Sequence, residues 1–591
     1  MNTLAFIAEI FRKFPVLMIM TISLIILTAA FDVATMITLA PIIETFTGTS
    51  HGISGHLTGL VKSLFDWIGL PVNITSFLVL LFLFSLVKGA FYIVIEWLTT
   101  KIQFKVVRGI MLGTFDSIFR SRWSFFTGNK QGMLLNTFTN EVNKIGTAFY
   151  RMATMLSKVM QVLVYILLPF YISWQVTSLM VISCIVFYVP LMSFGEKSKK
   201  LGEKSTNASN KVVQVLQQSL GAAKVILGFG KQKQSYLELE KNFSELENAS
   251  ISSRIMRAAI YNAYGPLTIV IMGIALLAVR YFDLATSDAA ILLFALYRTT
   301  PYFGEIPGMK HDIDNLYPSY LQIERIKKMA FDHIQISGDE HFESISKEIL
   351  CHRIMFIFPG SNEQVLKNVS MRVPSGKMVA IVGESGAGKS TLIDVVMGFI
   401  KPLSGEIMID GVPLQKYDIL SYRRRIGYVP QESVLFNGSI MDNLSWAKED
   451  ASEDEVIEAC RLANADVFID SFPDGYHTIV GDRGIRLSGG QAQRISLARA
   501  IIRKPELLIL DEATSSLDSR SEKLIQKSVE NIAKITTTLI IAHRLSTIKN
   551  ADYIYVLKGG RVVEEGTYTE LVAISGYFTN MVQGQLLGTE E

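Results

Sequence analysis

The chain has 591 residues, 49% of them hydrophobic and only 19% charged, with a formal net charge of +3. That length exceeds what one hydrophobic core fills, so two or more domains are required, and a mean hydropathy of +0.32 places part of the chain in lipid. The small net charge, with no Lys/Arg block interleaved with aromatics, excludes a nucleic-acid partner.

The three cysteines, Cys184, Cys351 and Cys460, form no C-x-x-C pair, which fits neither a disulfide framework nor a zinc site and points to reduced thiols. At the N-terminus, Leu4, Phe6, Ile7, Ile10 and Phe11 set against Glu9, Arg12 and Lys13 predict a short helix along a membrane surface. Apolar stretches long enough to span a bilayer follow near 15–40, 76–98, 152–174, 176–194, 259–281 and 284–303, which predicts six crossings. The first is too long for a signal-peptide core and should remain in the mature protein.

Between the first two crossings, Leu57, Leu60, Val61, Leu64, Phe65 and Ile68 recur at helical spacing opposite Lys62, Ser63 and Asp66. They predict an amphipathic helix at the outer interface, either a cap on the membrane domain or a guide for a lipid. Lys and Arg crowd the segment between crossings two and three (Lys101, Lys105, Arg108, Arg120, Arg122, Lys130, Lys144) and that between four and five (Lys197 through Lys233). Both segments are therefore cytoplasmic, as are both termini. Each is about fifty residues and helix-compatible, so the membrane helices are expected to extend well below the bilayer. The Gly-marked stretches at 128–133 and 219–223 are candidate turns for contact with a cytosolic motor.

Asp32, Lys88, Glu96, Lys158, Arg280 and Arg298 lie near or inside crossings, where an ionisable group must be paired or wet. Lys88 and Arg298 stand out, because cations in a cavity suit a phosphate or pyrophosphate headgroup. Snorkelling or internal pairing accounts for them equally well.

After Arg325 the crossings stop, and alternating strand and helix signals begin near Glu348. The expected division is a six-helix transmembrane domain over 1–325, a linker over 326–345 and an α/β P-loop domain over 346–591. Within the last, Gly383, Glu384, Ser385, Gly386, Ala387, Gly388, Lys389 and Ser390 match a phosphate loop, and the apolar run Met378–Val382 supplies the preceding strand. Glycines let the loop's N–H groups face phosphate oxygens at a helix N-terminus; Lys389 would reach the outer phosphates and Ser390 a Mg2+ ion. Leu507–Leu510 reads as a buried parallel strand ending in Asp511 and Glu512. Asp511 would hold the metal through water, and Glu512 would act as general base.

Leu487-Ser488-Gly489-Gly490-Gln491 is far more specific than a phosphate loop, and with it the chain resembles the ATP-binding cassette transporters. Tyr428-Val429-Pro430-Gln431 looks like that family's Gln loop, Ser516-Leu517-Asp518 its D-loop and Ala542-His543-Arg544 its switch histidine. Six crossings followed by one cassette resemble the exporter half-transporters of bacteria. The resemblance implies nucleotide contacts from Gly383 through Thr391, with Gln431, Ser488, Gly490 and Asp518. His543 would join Glu512 as a catalytic residue, and Gln431 would sense the γ-phosphate through the metal bound by Ser390 and Asp511. Phe358 stands where the family usually has an adenine-stacking Tyr.

Because the signature closes over a nucleotide held by another cassette, the resemblance implies a dimer that clamps two ATP molecules. A homodimer fits the competent residues, and a heterodimer stays open. It further implies a multi-pass protein of the inner membrane whose cassette faces the cytosol, pumping by alternating access. The outer helix, Lys88, Arg298 and Leu296-Tyr297-Arg298 together look similar to flippases for lipid-linked oligosaccharides, so an amphipathic lipid is the expected substrate. A peptide or drug exporter is the alternative; a nucleotide-gated channel and a membrane-anchored ATPase are suggested by no specific residue.

Overall fold

The computed structural model describes residues 15–47, 53–69, 71–128, 131–511, 519–542 and 548–587. The chain divides into two compact units, residues 1–121 with 125–334, and residues 122–124 with 335–591. The change from one to the other at Ile334 and Gln335 falls inside the stretch read as a linker.

The first unit is helical, as hydrocarbon demands: with no water to bond to, the backbone must satisfy itself. Each of the six expected stretches falls on helix. By length and composition, four described segments suffice to cross a membrane: Pro15–Thr45, Ile74–Phe119, Gln131–Ile172 and Gln232–Tyr281. The other two differ for physical reasons. Trp174–Tyr188 is a shorter apolar helix that tightens into a 3-10 segment at Val189–Phe194. Thr286–Asp332 carries Asp288, Arg298 and Glu305 and contains Pro301, Pro307 and Pro318, so it is too polar to register by composition alone.

Ile74–Phe119 and Gln232–Tyr281 run 46 and 50 residues. At about 1.5 Å per residue they far exceed a hydrocarbon layer of about 30 Å, as the helix-compatible cytoplasmic segments led us to expect. Along the first, Leu78, Phe82, Leu86 and Ile93 stay exposed, an apolar face suited to lipid. Asn73 starts that helix, its side chain accepting from the Ser76 N–H at 2.8 Å. The expected turn near 219–223 is a break at Ala222 between the helices Gly195–Gly221 and Ala223–Gly228. Residues 129 and 130 and the expected surface helix before Pro15 lie outside the described residues.

The amphipathic helix expected at the outer interface is Ile53–Ile68. Its apolar face divides: Leu57, Val61 and Phe65 are buried, Phe65 meeting Phe77 at 5.1 Å, whereas Leu60, Leu64 and Trp67 remain exposed. An exposed tryptophan beside an inward-packed seam suits a helix at an interface.

The second unit contains two sheets. One is antiparallel, in the order β2 (Gln364–Pro374), β1 (Glu348–Ile357), β4 (Ser404–Ile409), β5 (Val412–Pro413). The other runs β10 (Arg561–Gly566), β9 (Tyr553–Lys558), β3 (Met378–Gly383), β8 (Thr537–Ile541), β7 (Leu507–Asp511), β6 (Ile426–Val429), parallel except for β10. Its inner strands alternate between two cores: Ala380, Val382, Leu508, Leu510 and Ile540 enter one, and Val379, Ile381, Leu507, Ile509, Leu539 and Ile541 the other. The continuous apolar runs read as buried strands therefore cover both faces of one sheet.

Helix crossings in the first unit depend on small residues. A Cβ built on Gly202 would collide with the backbone carbonyl of Asn315, whereas one on Gly273 meets nothing within 4 Å. We expect Gly202→Ala to destabilise the membrane unit by about 1–3 kcal/mol and Gly273→Ala to leave it unchanged or firmer. Thermal unfolding of the two variants in detergent measures the difference.

Candidate functional site

Parallel pairing brings the carboxyl ends of β3, β7 and β6 to one edge of the sheet, where ligands of open α/β folds gather. From β3 the chain turns through Gly386 (φ 80°) and Gly388 (φ 100°), left-handed values that favour glycine, before the helix Lys389–Val396. A Cβ built on Gly386 would meet nothing within 4 Å, so the loop's concave face is open, while one on Gly388 would press on Leu366 and the Val365 carbonyl at 3.0 Å. Buried Lys389 arches back, its Nζ donating to the carbonyls of Gly383 and Glu384 at 2.9 Å each. The arch holds the ammonium over the loop.

Ser390 donates from Oγ to Asp511 Oδ1 at 3.4 Å, across 121 residues of sequence. A hydroxyl and a carboxylate converging beside an open anion nest make an oxygen donor set that fits a small hard cation such as Mg2+. Asp394, four residues after Ser390 on the same helix face, completes a feature the sequence reading missed. Burial, with the Asp511 charge beside it, raises its carboxyl to about 6. The spacing from Ser390 was the available signal. The Tyr428 hydroxyl, in β6 at the start of the Gln-loop motif, is also raised, by burial and then by Asp511 and Asp394.

Ser488 caps the helix Gly489–Ile501 through a capping box: its Oγ accepts from Gln491 N–H at 3.3 Å, and Gln491 Oε1 accepts from Ser488 N–H at 2.9 Å. Behind it, Arg494 is nearly buried; it donates to Gly490 O at 3.2 Å and Asn464 O at 2.8 Å and stacks over Phe468. That arginine, also missed, fixes the signature turn from inside. Gln431 follows β6 and is exposed, and Phe358 is 45% exposed, its ring edge against Phe356 at 5.0 Å. Glu512, Asp518 and His543 lie outside the described residues, Glu512 next in sequence after β7 and His543 two residues after Ile541 of β8.

The membrane unit gathers two cations and a tyrosine hydroxyl on one carboxylate. Asp32, fully buried, accepts from Lys88, from Arg298 at 3.2 Å and from the Tyr165 hydroxyl. Four helices thus meet there. Lys158 pairs with Glu305 at 3.2 Å over the Tyr302 ring, and Glu96 accepts from Tyr150 at 3.0 Å. Lys88 and Arg298 are therefore paired internally rather than standing as lone cavity cations, yet the Arg298 side chain remains 42% exposed.

Helices suited to a membrane and a phosphate-loop sheet with a capped signature turn define an ATP-hydrolysing membrane transporter. Residues 366–515 match the ABC transporter family and residues 18–297 its transmembrane region. The chain is 36% identical over 466 residues to the heterocyst differentiation ATP-binding protein HepA of Nostoc sp., covering 78% of this chain and 76% of that one. It is 31% identical to an ATP-dependent lipid A-core flippase of Syntrophus aciditrophicus, over 90% of each. A solved bacterial Atm1-family ABC exporter with ATP bound shares the fold, with a TM-score of 0.81 at 24% identity, over 96% of this chain and 98% of that one. The chain belongs to the ABC transporter family, whose cassette hydrolyses ATP to drive transport.

Replacing Lys389 by Ala removes the ammonium held over the loop. We expect ATP hydrolysis to fall by at least about a hundredfold, with unfolding temperature changed little; undiminished turnover would refute the placement of the nucleotide.

Proposed function

We propose that the protein works as a dimer of two copies in the inner membrane, its cassettes and termini in the cytosol, moving an amphipathic lipid with an anionic headgroup. In this reading the backbone from Gly383 to Thr391 cradles the nucleotide phosphates and Lys389 neutralises them. Phe358 stacks on the base, and the partner's Ser488 and Gly490 close over the γ-phosphate. Ser390, Asp511 and Gln431 would hold Mg2+, which supplies neutralising charge at the phosphates when bound. Glu512 accepts the proton of the attacking water, His543 orients it, and Asp518 lies at the seam between copies. ATP drives the cycle by binding the closed pair more tightly than the open one.

The observation that carries the lipid reading is the cluster on Asp32. Two cations share one carboxylate, so a positive charge is in excess where burial makes charge costly, and Arg298 is exposed enough to meet a ligand. A lipid phosphate or pyrophosphate would balance it. That lipid A-core flippases stand among the relatives supports the same direction. A peptide or drug exporter is the second reading; it gives the excess charge nothing to do.

Two measurements test the proposal. In reconstituted vesicles, ATPase should respond to phosphate-bearing and polyisoprenyl-linked lipids more than to peptides. Arg298→Ala and Lys88→Ala each remove one cation and leave the Asp32 carboxylate paired with the other, so each should weaken that response by about tenfold or more. Equal stimulation of both variants would end the headgroup role. Ser488→Glu should stop turnover by placing a negative charge against the γ-phosphate across the dimer; normal activity in that variant would dismiss the paired engine.

A further inference from the structure

A second polar site lies in the membrane unit, apart from the Asp32 cluster. The helices Leu39–Thr47 and Ile53–Ile68 and the start of Ile74–Phe119 enclose a cleft of about 730 Å³. That volume is within the range of about 300–1,000 Å³ typical of small-ligand sites. Two polar atoms on its walls are buried with no hydrogen-bond partner: Oε1 of Glu44 and Oγ1 of Thr58, a residue only 2% exposed. An unbonded buried carboxylate oxygen is expensive, so such a pair calls for a ligand or ordered water.

The remaining lining narrows the chemistry. Lys62 supplies an ammonium, and Asn73, whose carbonyl oxygen is occupied by Ser76 N–H and Oγ at 2.8 Å each, keeps its amide N–H groups for other partners. Donors and acceptors are therefore both present in the cleft, and the formal charges of Glu44 and Lys62 cancel. Pro41 and buried Phe77 add apolar wall. An anion would face the Glu44 carboxylate, and a cation Lys62. A group whose every hydroxyl both donates and accepts, with C–H faces between, suits the whole set. Exposed Trp67 on the same outer helix places the cleft at headgroup depth.

We infer that this cleft binds a neutral, hydroxyl-rich glycosyl group, giving the sugar end of a lipid substrate a resting place at the outer face. The inference rests on the lipid-transport reading for its role, and on Glu44 and Thr58 for its chemistry. Glu44 accepts two sugar hydroxyls, Thr58 one, and Lys62 and Asn73 donate from the opposite wall.

The test uses the full-length dimer in lipid nanodiscs and saturation-transfer NMR with N-acetylglucosamine, glucose and glucuronate as probes. Wild-type protein should transfer saturation to both neutral sugars and less to glucuronate. Glu44→Gln and Thr58→Val should each weaken binding by about tenfold, the loss expected for a hydrogen bond to a charged or buried group. Thr58→Ser, which keeps the hydroxyl, should bind normally. Absence of transfer in the wild type would mean that water alone fills the cleft and would overturn the site, as would equal transfer in all four proteins. ATPase stimulation by polyisoprenyl-linked sugar, measured alongside, separates the two ideas. A lipid response without a sugar signal removes the outer site and spares the transport reading; a sugar signal without a lipid response upholds the site and removes that reading.

Discussion

The nucleotide half of the molecule depends on one constraint, the parallel pairing of β3 with β8 and β8 with β7. Because parallel strands all end at one edge, groups far apart in sequence must meet there. Ser390 at the start of a helix and Asp511 at the end of a strand come within 3.4 Å for that reason and no other. Strands buried on both faces hold the edge rigid, with alternate side chains committed to opposite cores. A slip of one residue would exchange the two sets and move every catalytic group with them.

The membrane half obeys a different rule. Apolar surface there needs no burial, so the helices are ordered by close approach at glycine and by polar pairs, which hydrocarbon makes costly to leave unmade. Asp32 joins Lys88, Arg298 and Tyr165 from separate helices within the apolar stretches, and outside those stretches Asp312 joins Arg151 and Arg257 at 3.2 and 3.3 Å. Farther along, Gln322 donates to Thr137 at 2.8 Å, and Asn210 to Gln322 at 2.9 Å. These contacts give the bundle its specificity, and their charge balance bears on what the bundle can carry.

Much of this was legible in sequence because the signals were local. The phosphate loop follows its strand at Gly383, the signature Ser488 caps its helix, and the outer helix shows its spacing from Leu57 to Ile68. What escaped was set by tertiary neighbours. Asp394 is shifted by burial beside Asp511, Arg494 is held by its reach to Asn464, and Lys88 is paired with a carboxylate 56 residues away. The last membrane helix, read from its apolar stretch at 284–303, carries prolines and charges that partners on other helices help to satisfy, as Asp32 does for Arg298. Pairing of that kind leaves no periodic trace along a chain.

The capping box at Ser488 has a directional consequence. A serine oxygen carries a single hydrogen, and here the oxygen already receives one from the Gln491 amide inside the turn. Its own hydrogen is left for a partner outside the turn. An oxyanion arriving there, as proposed, would meet a side chain whose χ1 is already set by the turn, which lowers the entropic toll of association. In the proposed dimer, the rigidity of a single local turn would become sharpness in how two copies recognise a small ion between them.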